Sequence, residues 1–169
     1  TKATSITIPA TVKIDGVTFK VTAIEKNAFK KNKKIKAVTI GKNVKTVGES
    51  AFYNCTRLKT VKFGSNVTEI GDKAFYKCTV LTEVSIPSKV TTIGKNTFYG
   101  CKAITSVTIG KNVHEIGKQA FYGCSKLKNL KIKSTKLTTK NIGSKAFSKT
   151  LKNMKVTLPK SKFKTYKSV

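Results

Sequence analysis

The sequence predicts a repeat solenoid, in which short coils stack on one another and line up a parallel β-sheet along one face. Three observations carry this. A string of the type Ala-Phe-Tyr-x-Cys returns every 23 residues, the aliphatic positions between copies keep the same step, and a glycine or proline closes most apolar stretches at a fixed offset. A fixed period of this length marks stacked supersecondary units and outranks local propensity.

The copies are Ala51-Phe52-Tyr53-Asn54-Cys55, Ala74-Phe75-Tyr76-Lys77-Cys78, Thr97-Phe98-Tyr99-Gly100-Cys101 and Ala120-Phe121-Tyr122-Gly123-Cys124. Phe29 extends the series back one period, with Lys30 and Asn32 where Tyr and Cys would stand; Phe147 extends it forward after 26 residues. Ile35, Leu58, Leu81, Ile104 and Leu127 each follow a Phe by six. Then comes an alternating pair: Val38/Ile40, Val61/Phe63, Val84/Ile86, Val107/Ile109, Leu130/Ile132 and Val156/Leu158, with Ile6/Ile8 before them all. β-Branched alternation of this kind reads as a short strand with one buried face. A second apolar stretch runs from Val44, Val67, Val90 and Val113 to Val47, Ile70, Ile93 and Ile116, and a glycine follows each time. One period is therefore strand, turn, short extended piece, Gly corner, and a turn or 3₁₀-like segment carrying Phe and Cys. Stacking such coils at about 4.8 Å turns Phe, Cys, Leu, Val and Ile into ladders inside the stack.

The string Leu81-x-x-Val84-x-Ile86-Pro87-x-x-Val90-x-x-Ile93-Gly94-x-x-x-Phe98-x-x-Cys101 resembles the BspA-type leucine-rich repeats. The likeness spans about residues 6 to 159. It implies a leucine-rich-repeat right-handed superhelix on a bacterial cell surface, and adhesion to host or matrix proteins, cells or surface glycans without catalysis. Two departures stand out. Residues 11–21 are inserted around Asp15-Gly16 and alternate polar with apolar, a two-residue hairpin signal; the hairpin is expected to cover the open end of the stack. Lys133 to Asn141 holds three extra residues, expected to bulge as a loop. The chain thus reads as one domain: 6–28 strand and capping hairpin, 29–132 regular repeats, 133–159 an irregular last repeat, 160–169 a basic tail. Both ends look cut from something longer, so any signal and anchor are expected outside this stretch.

Charge is the compositional outlier, with 35 Lys+Arg against 7 Asp+Glu and a net +28. Only Arg57 is arginine. Lysine is a hydrated point charge suited to diffuse attraction rather than to forked recognition of phosphate. No apolar run approaches the roughly 18 residues that span a bilayer.

Chemistry has few candidates. The four cysteines recur at one point of successive coils, which favours free thiols in a core ladder over disulfides, since side chains parallel on a ladder are poorly aimed at each other. A line of single cysteines does not converge on zinc, so no metal or cofactor is expected. His114, the sole histidine, is expected to face solvent. Glu69 and Glu115 hold equivalent positions two coils apart, but with Thr92 between them and no pocket in view no catalytic role is expected. The glycines mark corners rather than a phosphate cradle.

Binding is the remaining class. On the strand face the outward positions include Lys36, Lys59, Lys62, Thr82, Ser85, Thr105, Thr108, Lys128 and Lys131, a polar, mixed surface without bulky anchors. Tyr53, Tyr76, Tyr99 and Tyr122 make a stripe. It reads either as an aromatic binding strip or, as expected here, as a stacked ladder with its hydroxyls in water. The lysines serve solubility or attract a polyanion: teichoic acid, anionic glycan, acidic protein or nucleic acid. Against specific nucleic-acid reading stand the near absence of arginine and of any reading motif.

Overall fold

The computed structural model describes residues 4–162, which build a solenoid of parallel strands with almost no helix. In chain order the strands are β1 (Ser5–Ile8), the hairpin β2 (Thr11–Ile14) and β3 (Val17–Lys20), β4 (Ala23–Ile24), β5 (Ala37–Ile40), β6 (Thr46–Val47), β7 (Thr60–Lys62), β8 (Glu69–Ile70), β9 (Glu83–Ser85), β10 (Thr92–Ile93), β11 (Ser106–Ile109), β12 (Glu115–Ile116), β13 (Asn129–Ile132) and β14 (Lys155–Thr157).

All seven expected strand positions form. They pair in parallel as β1-β5-β7 and as β9-β11-β13-β14, so the ladder breaks once along its length. The break falls at the coil where Phe63 takes the position that is Ile or Leu elsewhere, its ring edge-on to Phe75 at 5.7 Å. Thr82 bridges the gap, its N–H donating to the Lys59 carbonyl at 3.2 Å and its hydroxyl lying 3.4 Å from the same oxygen. The sheet expected on one face has a counterpart. The short extended pieces pair as a second parallel sheet of five strands, β12-β10-β8-β6-β4, because each coil repeats the same two-residue extended piece in register.

The third segment of each coil is a tight turn rather than a 3₁₀ helix. Two left-handed residues frame it in every coil: Ser50 and Asn54, Lys73 and Lys77, Asn96 and Gly100, Gln119 and Gly123. They help aim the N–H groups of the turn at the following coil. Phe52 donates to the Ala74 carbonyl at 2.7 Å and Asn54 to that of Tyr76 at 2.7 Å, and the pattern recurs at Phe75, Phe98 and Phe121. The Phe rings stack into a continuous column from Phe29 to Phe147, with centroids 5.1–5.3 Å apart. Thr97, where other copies have Ala, is fully buried yet satisfied, its hydroxyl lying 2.8 Å from the Gly94 carbonyl and 3.2 Å from that of Gly71.

The corner glycines are set by close approach of backbone. A Cβ on Gly110 would lie 2.2 Å from the Pro87 carbonyl oxygen, and one on Gly117 2.6 Å from the Gly94 carbonyl carbon.

Two expectations change at the ends. The hairpin forms around Asp15-Gly16, both with positive φ, and pairs Val12 with Phe19 and Ile14 with Val17. All eight of its strand residues are exposed, so neither of its faces is buried against the core as a close-packed cover would be. The Val21 N–H to Ala10 carbonyl bond closes its base at 2.9 Å. The extra residues of the last repeat form a 3₁₀ turn, Thr139–Asn141, with Leu137 buried before it, rather than a loose loop. This turn absorbs the insertion, so Phe147 still stacks on Phe121 at 5.2 Å. Most of the basic tail, 163–169, lies outside the described residues.

Candidate binding surface

The inward positions are committed to the core. The four cysteines are free and buried. Each thiol donates to the Phe carbonyl of the coil before: Cys55 to Phe29 at 3.0 Å, Cys78 to Phe52 at 3.2 Å, Cys101 to Phe75 at 3.1 Å and Cys124 to Phe98 at 3.4 Å. Burial pushes Cys55 up to about 11 and Cys124 to about 12, and holds Cys78 and Cys101 well above the usual thiol range. A thiol so held is protonated at neutral pH and a poor nucleophile. His114 is exposed, as expected. Glu69 and Glu115 both register with Thr92 on the second sheet and are exposed on its surface. Among the described residues no three His, Cys, Asp or Glu side chains group to hold a metal.

The outward positions of the strand face stack in rows. One row runs Thr7, Thr39, Lys62 and, past the break, Ser85, Thr108, Lys131, Thr157. Beside it Lys36, Lys59, Thr82, Thr105 and Lys128 step along the strand entrances, each linked by an N–H to the coil before where the bond forms (Lys59 to Lys36 at 2.7 Å, Thr105 to Thr82 at 2.8 Å). The hydroxyls of Thr82 and Thr105 lie 3.4 and 3.3 Å from carbonyls of the preceding coil. Lysines therefore gather toward the two ends of this face, with a lysine-free Thr/Ser centre that carries the carboxylate of Glu83.

The tyrosines lie on the turn segment, so the thirteen residues singled out from the sequence form two surfaces, not one. Tyr53, Tyr76, Tyr99 and Tyr122 stack at 4.8–4.9 Å with planes within 12° of parallel. The ladder's outer faces are closed by cations: Lys30 lies over Tyr53 at 5.6 Å and Lys149 over Tyr122 at 5.4 Å. Partial burial, and then the flanking Tyr53 and Tyr99, push the Tyr76 hydroxyl up. A hydrogen bond with Tyr122 holds the Lys149 ammonium above the ordinary lysine range.

Beside this ladder is an open depression of about 430 Å³ floored by Gly100 and Gly123 and rimmed by Lys77, Lys102 and Lys149. Sequence reasoning missed these lysines. Their signal was the change from Asn54 and Lys77 to Gly100 and Gly123 at the position after Tyr, visible once the copies are aligned.

Among the described residues the only ion pair joins Lys26 to Glu49 at 2.8 Å, and it draws the Glu49 carboxyl below its ordinary range. Other lysines find neutral partners: Lys89 donates to the Asn66 side-chain oxygen at 2.6 Å, and Lys30, Lys77 and Lys149 lie over tyrosine rings.

The model of the BspA type leucine-rich repeat region matches residues 22–150 and 91–169, with six copies. The chain belongs to the BspA-type leucine-rich repeat family. Comparison with curated proteins finds no match. Among solved structures, this BspA-type chain is similar to a leucine-rich cell surface protein from Faecalibacterium prausnitzii A2-165 at 30% identity and a TM-score of 0.64, over 94% of this chain and 48% of that one. It is also similar to a leucine-rich repeat protein from Bacteroides capillosus at 33% identity and a TM-score of 0.58, over 63% of this chain and 77% of that one. The pneumococcal vaccine antigen PcpA shares the fold at 24% identity and a TM-score of 0.79, over 94% of this chain and 41% of that one. The chain thus spans about half the length of the Faecalibacterium protein. No helix among the described residues is long and apolar enough to cross a membrane.

Proposed function

We propose that this chain is a non-catalytic binding module of a bacterial cell-surface protein, presenting its strand face to a host or matrix protein or a surface glycan. One observation carries the reading. The inward side of every coil is used up by the core ladders, while the outward rows from Lys36 to Lys131 lie outside that core, on strands paired in parallel register. Such a surface varies its side chains at little cost to stability, as recognition on a repeat scaffold requires. The family and the Faecalibacterium surface protein support the location.

The test is binding of the purified chain to immobilised matrix proteins and surface polysaccharides across a salt series. Saturable binding that survives about 0.3 M NaCl, where the Debye length is well under 10 Å, and that falls on Lys36, Lys59 and Lys62→Gln supports the reading. Binding to nothing in such a panel refutes it.

A second reading, charge-driven attraction to a polyanion such as teichoic acid, anionic glycan or nucleic acid, is favoured by the 35 basic residues against 7 acidic ones. It predicts affinity that falls steeply with salt irrespective of which lysines are replaced.

A further inference from the structure

The position after Tyr in each coil is left-handed, and its side chain lies beside the Tyr ladder. It is Lys31, Asn54, Lys77 and Lys149 in four coils, with φ between 53° and 60°. In the two coils between Lys77 and Lys149 it is glycine, with φ of 67° at Gly100 and 71° at Gly123. The neighbours show that this backbone accepts a side chain. Packing does not demand glycine either: a Cβ on Gly100 would meet only Lys77 Cγ, at 3.3 Å, a close contact relieved if that lysine gives by a few tenths of an ångström, and one on Gly123 nothing nearer than 3.8 Å. These two therefore differ from the corner glycines, whose added Cβ would run into the previous coil. What they create is space: two rungs, about 10 Å at the inter-strand spacing, missing from an otherwise filled row.

The space has a definite chemistry. Lys77 stands at one end, Lys149 at the other and Lys102 on the rim, and no carboxylate is among its lining residues. Thr79 and the tyrosines 99 and 122 add hydroxyls. The Tyr faces are covered by one another and by Lys149, so the wall offers ring edges and hydroxyls, not a stacking platform. A nucleic-acid strand binds such surfaces chiefly by stacking bases on open aromatic faces, and the geometry withholds them. Hydroxyl-rich walls and separated point charges suit a polyhydroxylated anion instead.

We propose that the Gly100–Gly123 groove binds a short stretch of acidic polysaccharide, its sulfates or carboxylates held by Lys77, Lys102 and Lys149. This rests on the reading of the chain as a binding module and adds a second surface to it, on the turn side rather than the strand side.

The test titrates the full chain with a heparin hexasaccharide (sulfated), an oligogalacturonate hexamer (carboxylated) and a neutral dextran oligomer, by calorimetry and by amide chemical shifts in about 150 mM NaCl, where the Debye length is about 8 Å. The two acidic probes distinguish sulfate from carboxylate. The expected result is binding of at least one acidic probe and not of dextran, with the largest shifts at the amides of Gly100 and Gly123. The paired change Gly100→Asn and Gly123→Asn, which copies the residue found at Asn54 in the same left-handed position, fills the groove without removing a charge. It is expected to weaken binding about tenfold, with thermal melts establishing that the variant is folded. Lys13→Gln with Lys20→Gln on the exposed hairpin, which belongs to neither surface, removes two charges and is expected to change affinity less than about twofold, less than half a kcal/mol. Equal losses from the hairpin pair, an unchanged affinity after groove filling, or no binding of either acidic probe would overturn the groove. None of these touches the strand-face reading, which fails separately if the chain binds no protein or glycan in the salt series above.

Discussion

Replacing Phe75 by Ala tests whether the Phe column holds the coils together. Phe75 is fully buried, stacked on Phe52 at 5.2 Å and on Phe98 at 5.3 Å, and met edge-on by Phe63 at 5.7 Å. Truncating a buried Phe costs about 3–5 kcal/mol, and each aromatic contact adds about 0.5–1.5 kcal/mol beyond area. With three such contacts the loss belongs at the upper end, about 5 kcal/mol. Phe147 provides the contrast: it is half-buried and stacks on Phe121 alone. Its truncation is expected to cost about 2 kcal/mol, in the range for exposing part of one aromatic side chain. Domain stabilities run about 5–15 kcal/mol, so the central change removes a large share. Because a solenoid is held by nearest-neighbour interfaces, a cavity at Phe75 also uncouples the coils on either side and broadens the transition. The assay is equilibrium urea unfolding followed by circular dichroism. At a slope of about 2 kcal/mol/M, Phe75→Ala should lower the midpoint by about 2.5 M and Phe147→Ala by about 1 M. A central cost no larger than the terminal one would refute the column as the main source of coupling.

The remaining predictions are shorter. The four thiols should resist a thiol reagent in the native chain near neutral pH and all react after unfolding, as buried, protonated groups do; reaction of none without reductant would contradict free thiols. Because burial raises the folded thiol pKa, the unfolded chain loses those protons first and stability falls as pH rises above the unfolded value of about 9. Between about pH 9 and 10 the slope for the native chain should exceed that of Cys101→Ala by up to about 1.4 kcal/mol per pH unit, measured by urea unfolding at each pH. Net charge of +28 with one ion pair among the described residues predicts a melting temperature that rises with salt between about 0.02 and 0.3 M; a flat or falling profile would count against self-repulsion. Gly110→Ala should destabilise by more than 2 kcal/mol, roughly the scale of overpacking a closed site, whereas Gly123→Ala should cost about 1 kcal/mol, the left-handed penalty alone. Phe19→Thr on the exposed hairpin should change stability by less than about 0.5 kcal/mol.

Much of the architecture was legible because equivalent positions in each coil face the same way. Phe52, Cys55, Leu58, Val67 and Ile70 are buried in one coil, and so are their counterparts in the next. The hairpin was legible for a local reason: Asp15 and Gly16 meet the turn's need for positive φ. Its exposure was not, since alternation tells which side chains share a face and not whether anything covers that face. The second sheet was legible only as short extended pieces, too brief to announce their pairing. The candidate site was the least legible part. The strand-face lysines came from alternation alone, while Lys102 and Lys149 belong to different coils and come together only across the gap left by Gly100 and Gly123.

By itself the sequence determined the period, the ladder membership of the cysteines and the placement of corners, because burial of one side of a short repeat demands the same residue types at the same step. Only the tertiary structure decided the rest: that the tyrosines cover each other's faces, that the corner glycines are set by contact while Gly100 and Gly123 open a gap, and that the strand ladder breaks beside Phe63. Those outcomes depend on distances between residues a full repeat or more apart in the chain, where one coil's backbone lies against the next, and a pattern along one strand of sequence carries no record of them.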